Sequence, residues 1–172
     1  TNTFEATAKN CANYDYVTHF GTAGNTYIGG IIGVSTGSLK NYIQNCLNYG
    51  TVTANGTSTK ELYIGGILGC AAAGSTNHLE NCVSVGKMIS NNDNSVIGRV
   101  VGLVGSSSRI TITHCHWTSE VGNYSAFGLN NSVVTVNPET SQIFFNTTTV
   151  DSLSSYNSSW NKWLLNTNSR PV

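Results

Sequence analysis

Charge is what this chain has least of. Only 9% of its 172 residues are charged, against about 25% in an average soluble domain. Eight basic and eight acidic residues cancel to a net charge of zero. The cations are dispersed and no two are adjacent, so the clustered basic footprint that nucleic acid requires is missing. Proline occurs twice and methionine once. No apolar run approaches the ~18 residues of a membrane span. Helical periodicity is absent before residue 149. Neither a membrane-spanning helix nor a helical bundle fits that stretch. The chain opens at Thr1 with no charged-then-apolar leader. Its repeats begin almost at residue 10 without an obvious cap, so a segment of something longer is expected.

What is abundant is neutral polarity. Asn, Ser and Thr supply over about a third of the chain, far above average usage. These side chains take the place of charges at the surface. Such a composition suits extracellular walls and surface proteins.

The second abundance is repetition. Residues 27–33 read YIGGIIG, 63–69 read YIGGILG and 99–105 read RVVGLVG. Between them runs NCANYDYV from Asn10, NCLNYGTV from Asn45, NCVSVGKM from Asn81 and HCHWTSEV from His114. The cysteines Cys11, Cys46, Cys82 and Cys115 are spaced by 35, 36 and 33 residues. A fixed period of this size marks a repeat architecture. Each unit reads as short strands separated by Gly/Ser turns and polar excursions, such as 54–60 and 90–95. One unit fits one coil of a parallel β-solenoid, with equivalent residues stacked about 4.8 Å apart.

The expected columns can be named. Cys11, Cys46, Cys82 and Cys115 form one. Asn10, Asn45 and Asn81 form an amide ladder ending at His114. Tyr14 and Tyr49 lead a column continued by Val85 and Thr118. Val17, Val52, Met88 and Val121 form another, as do Ile28, Ile64 and Val100, and Ile31, Ile67 and Leu103. Gly30, Gly66 and Gly102 recur, and so do Gly33, Gly69 and Gly105, which implies a bend or close backbone approach. The GG-x-x-G phrase is no phosphate loop, because neither Lys-Ser/Thr nor a helix follows it.

These phrases resemble the GLUG-motif repeats of bacterial and protist surface proteins. The matching residues are Gly65-Gly66-Ile67-Leu68-Gly69 and Asn81-Cys82-Val83-Ser84-Val85-Gly86, with parallel sets in the first repeat, over roughly residues 10–128. The resemblance implies a β-solenoid in a secreted or surface-anchored, adhesin-like protein, and it implies no catalytic residues.

The expected architecture is all-β: a right-handed parallel β-solenoid of about four coils. Residues 1–9 are the edge of a partial coil, and coils span about 10–44, 45–80, 81–113 and 114–148. Val150, Leu153, Trp160 and Leu164 recur at helical spacing, with Thr149 as N-cap. A helix over 149–165 is therefore expected as the C-terminal cap, with 166–172 as tail or linker.

Candidate sites are few. The Cys column is either a buried thiol stack or a ladder holding one or two disulfides, and Cys70 lies outside it. His114-Cys115-His116 is the tightest group of ligand types, and strand alternation places the two histidines on one face. A third ligand is not evident, so no metal or other cofactor is expected. The eight acids, Glu5, Asp15, Glu61, Glu80, Asp93, Glu120, Glu139 and Asp151, share no column. Asp15 and Glu120 fall about 14 Å apart, beyond the roughly 5–9.5 Å used in glycoside hydrolysis. Sequons at Asn55, Asn123, Asn130, Asn146 and Asn157 are glycosylation candidates. Tyr27 and Tyr63, with Tyr14 and Tyr49 nearby, are candidate sugar contacts, since rings pack on pyranose faces. The simpler reading is a stacking ladder that stabilises the coil.

The function expected from these features is a non-enzymatic segment of an extracellular or cell-surface protein. It would act as adhesion module or rigid spacer, with a glycan or host-surface ligand as partner. A polysaccharide-active lyase or glycoside hydrolase on the same fold is one alternative. A subunit that self-associates through its coil ends into filaments is another.

Overall fold

The structure is a computed structural model that describes residues 5–21, 24–37, 40–56, 60–118, 125–136 and 141–143. The expected helix over 149–165 and the tail after it lie outside these residues.

Apolar side chains alternate over only a few residues before a Gly, Asn or Ser interrupts them, so every strand is short. The first turn holds β1 (Ala6–Lys9), β2 (Ala12–Asn13), β3 (Val17–Phe20), β4 (Thr26–Gly29) and β5 (Ile32–Ser35). The second holds β6 (Lys40–Gln44), β7 (Leu47–Asn48), β8 (Val52–Asn55), β9 (Leu62–Gly65) and β10 (Leu68–Ala71). The third holds β11 (Thr76–Glu80), β12 (Val83–Ser84), β13 (Met88–Ser90), β14 (Ser95–Gly98) and β15 (Val101–Val104). Beyond them follow β16 (Arg109–Thr113), β17 (His116–Thr118), β18 (Phe127–Asn130), β19 (Val133–Val136) and β20 (Ser141–Ile143).

Each strand pairs in parallel with its equivalent one turn away. This gives five stacked sheets, ordered β1-β6-β11-β16-β19, β2-β7-β12-β17-β20, β3-β8-β13, β4-β9-β14 and β5-β10-β15-β18. The chain is a parallel β-solenoid. The first and fifth sheets enclose the larger core, where Ile43, Leu79 and Ile112 meet Leu68, Val101 and Val104. The third and fourth sheets enclose a second core of Val52, Met88, Leu62 and Ile64. Each Leu or Ile buried in these lobes contributes roughly 1.5–3 kcal/mol.

The Asn-Cys phrase makes a corner. Asn10, Asn45, Asn81 and His114 hold φ of 57°, 53°, 52° and 51°. Asn and His tolerate this left-handed conformation better than most residues. The amides also stack: Asn45 Nδ2 donates to Asn10 Oδ1 and Asn81 Nδ2 to Asn45 Oδ1, both at 3.2 Å. The following thiols donate to the carbonyl two residues earlier, Cys46 to Gln44 at 3.2 Å, Cys82 to Glu80 at 3.4 Å and Cys115 to Thr113 at 3.5 Å.

The glycine phrase makes a different corner, in which β5 folds back on β4. A Cβ on Gly65 would lie 1.9 Å from Leu68 O, and one on Gly69 would lie 2.7 Å from Ile28 N. Glycine is required there by backbone proximity.

The third glycine phrase sits three residues earlier than the sequence pattern indicates. Ile64 pairs with Ile97, so the column runs Ile28–Ile64–Ile97 and excludes Val100. Ile31 and Ile67 are continued by Val100 through backbone hydrogen bonds, and Leu103 pairs with Cys70. Leu68 pairs with Ile32 and Val101, so Gly33 and Gly69 are followed by Gly102, and Arg99 stands where Gly30 and Gly66 stand in the earlier turns. The cause is a loop of different length. Val52 and Leu62 are ten residues apart, whereas their partners Met88 and Ser95 are seven apart.

Candidate functional site

A solenoid offers chemistry in its interior columns and on its outer ladders. All five cysteines are free thiols, and Cys46, Cys70, Cys82 and Cys115 are buried. Hydrogen bonding to Cys82, followed by burial, pushes the Cys46 thiol well up. Burial raises Cys82 strongly and takes Cys70 to about 11. Such thiols stay protonated at neutral pH and make poor nucleophiles. The column is a thiol stack.

His114 and His116 do not share a strand face. His114 occupies the left-handed corner, which resets the alternation. His116 then takes the position of Leu47 and Val83 and is buried. Glu80 pairs with Thr113. Among the described residues, no three His, Cys, Asp or Glu side chains come together to hold a metal ion.

Arg99 enters the interior as the largest fully buried side chain, and its Nη1 donates to Gly86 O at 3.3 Å. The shifted register explains why sequence reading missed it.

Among the described residues, the outer aromatic side chains form three pairs. Tyr27 and Tyr63 stack with centroids 5.6 Å apart. Tyr63 is only 4% exposed, packs with Cys70 and Leu103, and donates its hydroxyl to Glu61. Burial, aided by Glu61, pushes its hydroxyl up to about 12. This ladder is a packing element over most of its length. Tyr14 and Tyr49 are tilted by 40° at 6.3 Å, and Tyr14 is 47% exposed. Burial of its ring raises the Tyr14 hydroxyl.

The third pair escaped sequence reading because its members differ in type. Tyr42 and His78 stand in register on the first sheet, 5.2 Å apart and within 18° of parallel. Beside them Gln44 Nε2 donates to Glu80 Oε2 at 2.8 Å. The signal was available: both pairs lie 36 residues apart, the period of Cys46 and Cys82.

Among the glycosylation candidates, Asn55 ends β8 half-buried, and the following Gly56 N donates to Asn91 Oδ1 at 3.1 Å. Asn130 is exposed and its Oδ1 accepts from Ser132 N at 3.1 Å. Asn123, Asn146 and Asn157 lie outside the described residues.

No helix among the described residues is long and apolar enough to cross a membrane. No family model, curated protein or solved structure matches the chain. The fold therefore rests on the strand pairing itself.

Proposed function

We propose that this chain is a non-enzymatic repeat segment of an extracellular surface protein, related to GLUG-type repeats, serving as an adhesion module or rigid spacer. The observation that carries this reading is the registered outer ladder. Neutral hydrogen-bonding side chains and ring pairs repeat on a stiff frame whose strand stacks run from turn to turn. Such a frame holds side chains at fixed intervals, which suits a polymeric ligand. Protonated, buried thiols support a chain that keeps free cysteines in an oxidising medium. The same reading takes the solenoid as right-handed, as parallel crossovers are in about 98% of cases. The same reading counts about four coils.

A broad glycan array, probed with and without calcium, tests the adhesive role. Saturable binding to one glycan class supports it. Silence across the array, together with a rod-like scattering profile, leaves the spacer role.

A second reading, end-to-end association, is favoured by the first turn. Among the described residues, each first-turn strand has a strand on one side only. Ala6 and Ala8 stand where the next turn has Asn41 and Ile43, leaving a hollow of about 330 Å3 between β1, β5 and β6. Particle size that falls on dilution would support association through this end. A strict monomer at all concentrations would remove it.

A further inference from the structure

The Tyr42–His78 stack ends abruptly at both sides. Strand register runs Thr7, Tyr42, His78, Thr111 and Thr135 along one row of the first sheet. The two rings stack along the solenoid axis. Their outer faces therefore look toward Thr7 at one end and Thr111 at the other. Threonine is too short to cover a ring, so each end is a step: a ring face for a wall and a threonine for a floor. The row faces outward. The alternating inward positions Ile43, Asn77, Leu79, Ile110 and Ile112 are all buried. Tyr42 and His78 are half-buried, and Thr7 is exposed.

The groups flanking the steps are polar and of both charge signs, with Lys9 in register with Gln44 beside the Thr7 step. Gln44 and Glu80, in the neighbouring outward row, are joined at 2.8 Å. That bond fixes two planar polar groups while leaving further acceptor and donor positions on each. Lys40 and Arg109 stand in register with Thr76 on the opposite side. A polyanion would favour cations alone, and a protein partner would favour a broad apolar patch. A ring face bordered by fixed amide, carboxylate and hydroxyl groups fits a neutral polyol that is apolar on one face and hydroxylated at its rim.

We propose that the Tyr42–His78 row is a binding site for pyranose units of a neutral glycan. A sugar stacks on each outer ring face above the Thr7 or Thr111 step, and Gln44 and Glu80 bond its hydroxyls. The proposal rests on the adhesive reading above and assigns it to the first sheet. Tyr27–Tyr63 is not the contact, because Tyr63 is packed away beneath Cys70 and Leu103.

The test uses the full chain on an array of neutral and acidic glycans, with Tyr42→Ala, His78→Ala and Thr111→Tyr variants. Thr111→Tyr fills the half-buried step beside His78 with a ring that extends the ladder, while the step above Thr7 stays open. Its circular dichroism should match the unmodified chain. The expected result is saturable binding to a neutral glycan, with dissociation constants raised about tenfold in Tyr42→Ala and His78→Ala and less in Thr111→Tyr. Ring-proton shifts of His78 on adding that glycan should accompany it. Neutral-glycan binding that survives all three variants but is lost in Tyr14→Ala overturns this site and keeps the adhesive reading. Binding only to acidic glycans, abolished by salt, overturns the neutral ligand class. No binding to any glycan, with His78 ring signals unmoved, overturns both.

Discussion

The two kinds of corner in this solenoid solve the same problem by opposite means. At the Asn-Cys corner side chains do the work: a left-handed residue turns the chain, its amide bonds the next turn, and a thiol caps a carbonyl. At the glycine corner the missing side chain does it, letting backbone atoms approach where a Cβ would collide. The first corner is built from graded contributions. The second is a steric condition that is met or not. Substitutions in the two should therefore differ in kind.

The largest effect is expected at the glycine corner. A Cβ on Gly66 would meet Ser84 Oγ at 1.9 Å and Arg99 O at 2.2 Å. Gly66→Ala should destabilise by about 3 kcal/mol or more. Adding Ser84→Gly should not restore it, because the backbone contact stays. Gly33 is the internal control: a Cβ there meets only Tyr27 O, at 3.4 Å, so Gly33→Ala should be tolerated. Urea midpoints measure all three. An unchanged midpoint for Gly66→Ala would break the comparison.

Next is alkaline pH, which acts on the side-chain corner. Cys82 is fully buried and its thiol sits well above the usual 9.0 when folded. Above pH 9.0 the unfolded chain loses that proton while the folded chain keeps it, so folding binds protons and stability falls. The slope is about 1.4 kcal/mol per pH unit for this thiol. Stability attributable to it is fully present below pH 9.0. Thermal melts between pH 8 and 11 should show the decline, and Cys82→Ala should lessen its slope, with Cys46 and Cys70 supplying the remainder. An equally steep decline in that variant would place its origin elsewhere.

Asn81→Ala removes an amide from the ladder and puts Ala at a φ of 52°. We expect a loss of about 1–2 kcal/mol, a graded effect smaller than that of Gly66→Ala. Asn81→Gly, which relieves the φ, should recover about half. Equal losses in the two would show that the amide bond alone matters.

The smallest predicted effect is a gain. Among the described residues the buried Asn81 Oδ1 atom has no hydrogen-bond donor, and His114 occupies the next corner. His114→Asn extends the ladder by one amide and should add about 0.5–1 kcal/mol. A lowered melting temperature would show that His114 contributes more where it is.

Much of this was legible in the sequence, and the legible parts share a cause. Cys11, Cys46, Cys82 and Cys115 keep residue type because the corner needs both αL tolerance before them and a small buried donor, so their spacing marked the turn. Tyr27–Tyr63 and Tyr14–Tyr49 were likewise found as pairs. What sequence could not give was depth: Tyr63 is buried because Cys70 and Leu103 pack on it, a contact between separate sheets. The third glycine phrase was misplaced because RVVGLVG imitates YIGGILG, while the true equivalent, VIGRVVG from Val96, carries Arg99 in a glycine position. Tyr42 and His78 went unread because a column conserves position before it conserves side chain. The same rule misassigned His116, whose burial follows from the φ of the residue two before it.

Among the first three turns, the loop joining the third and fourth sheets is where turn length varies. Val17 to Thr26, Val52 to Leu62 and Met88 to Ser95 are nine, ten and seven residues, although each pair starts and ends in register with the next. The strand stacks on either side keep their alignment. That loop thus takes up the length differences among the first three turns, and a foreign peptide placed after Gly56 or within 91–94 would be carried on the outside without disturbing the frame. The molecule is, in that sense, a display scaffold with its graft point already marked.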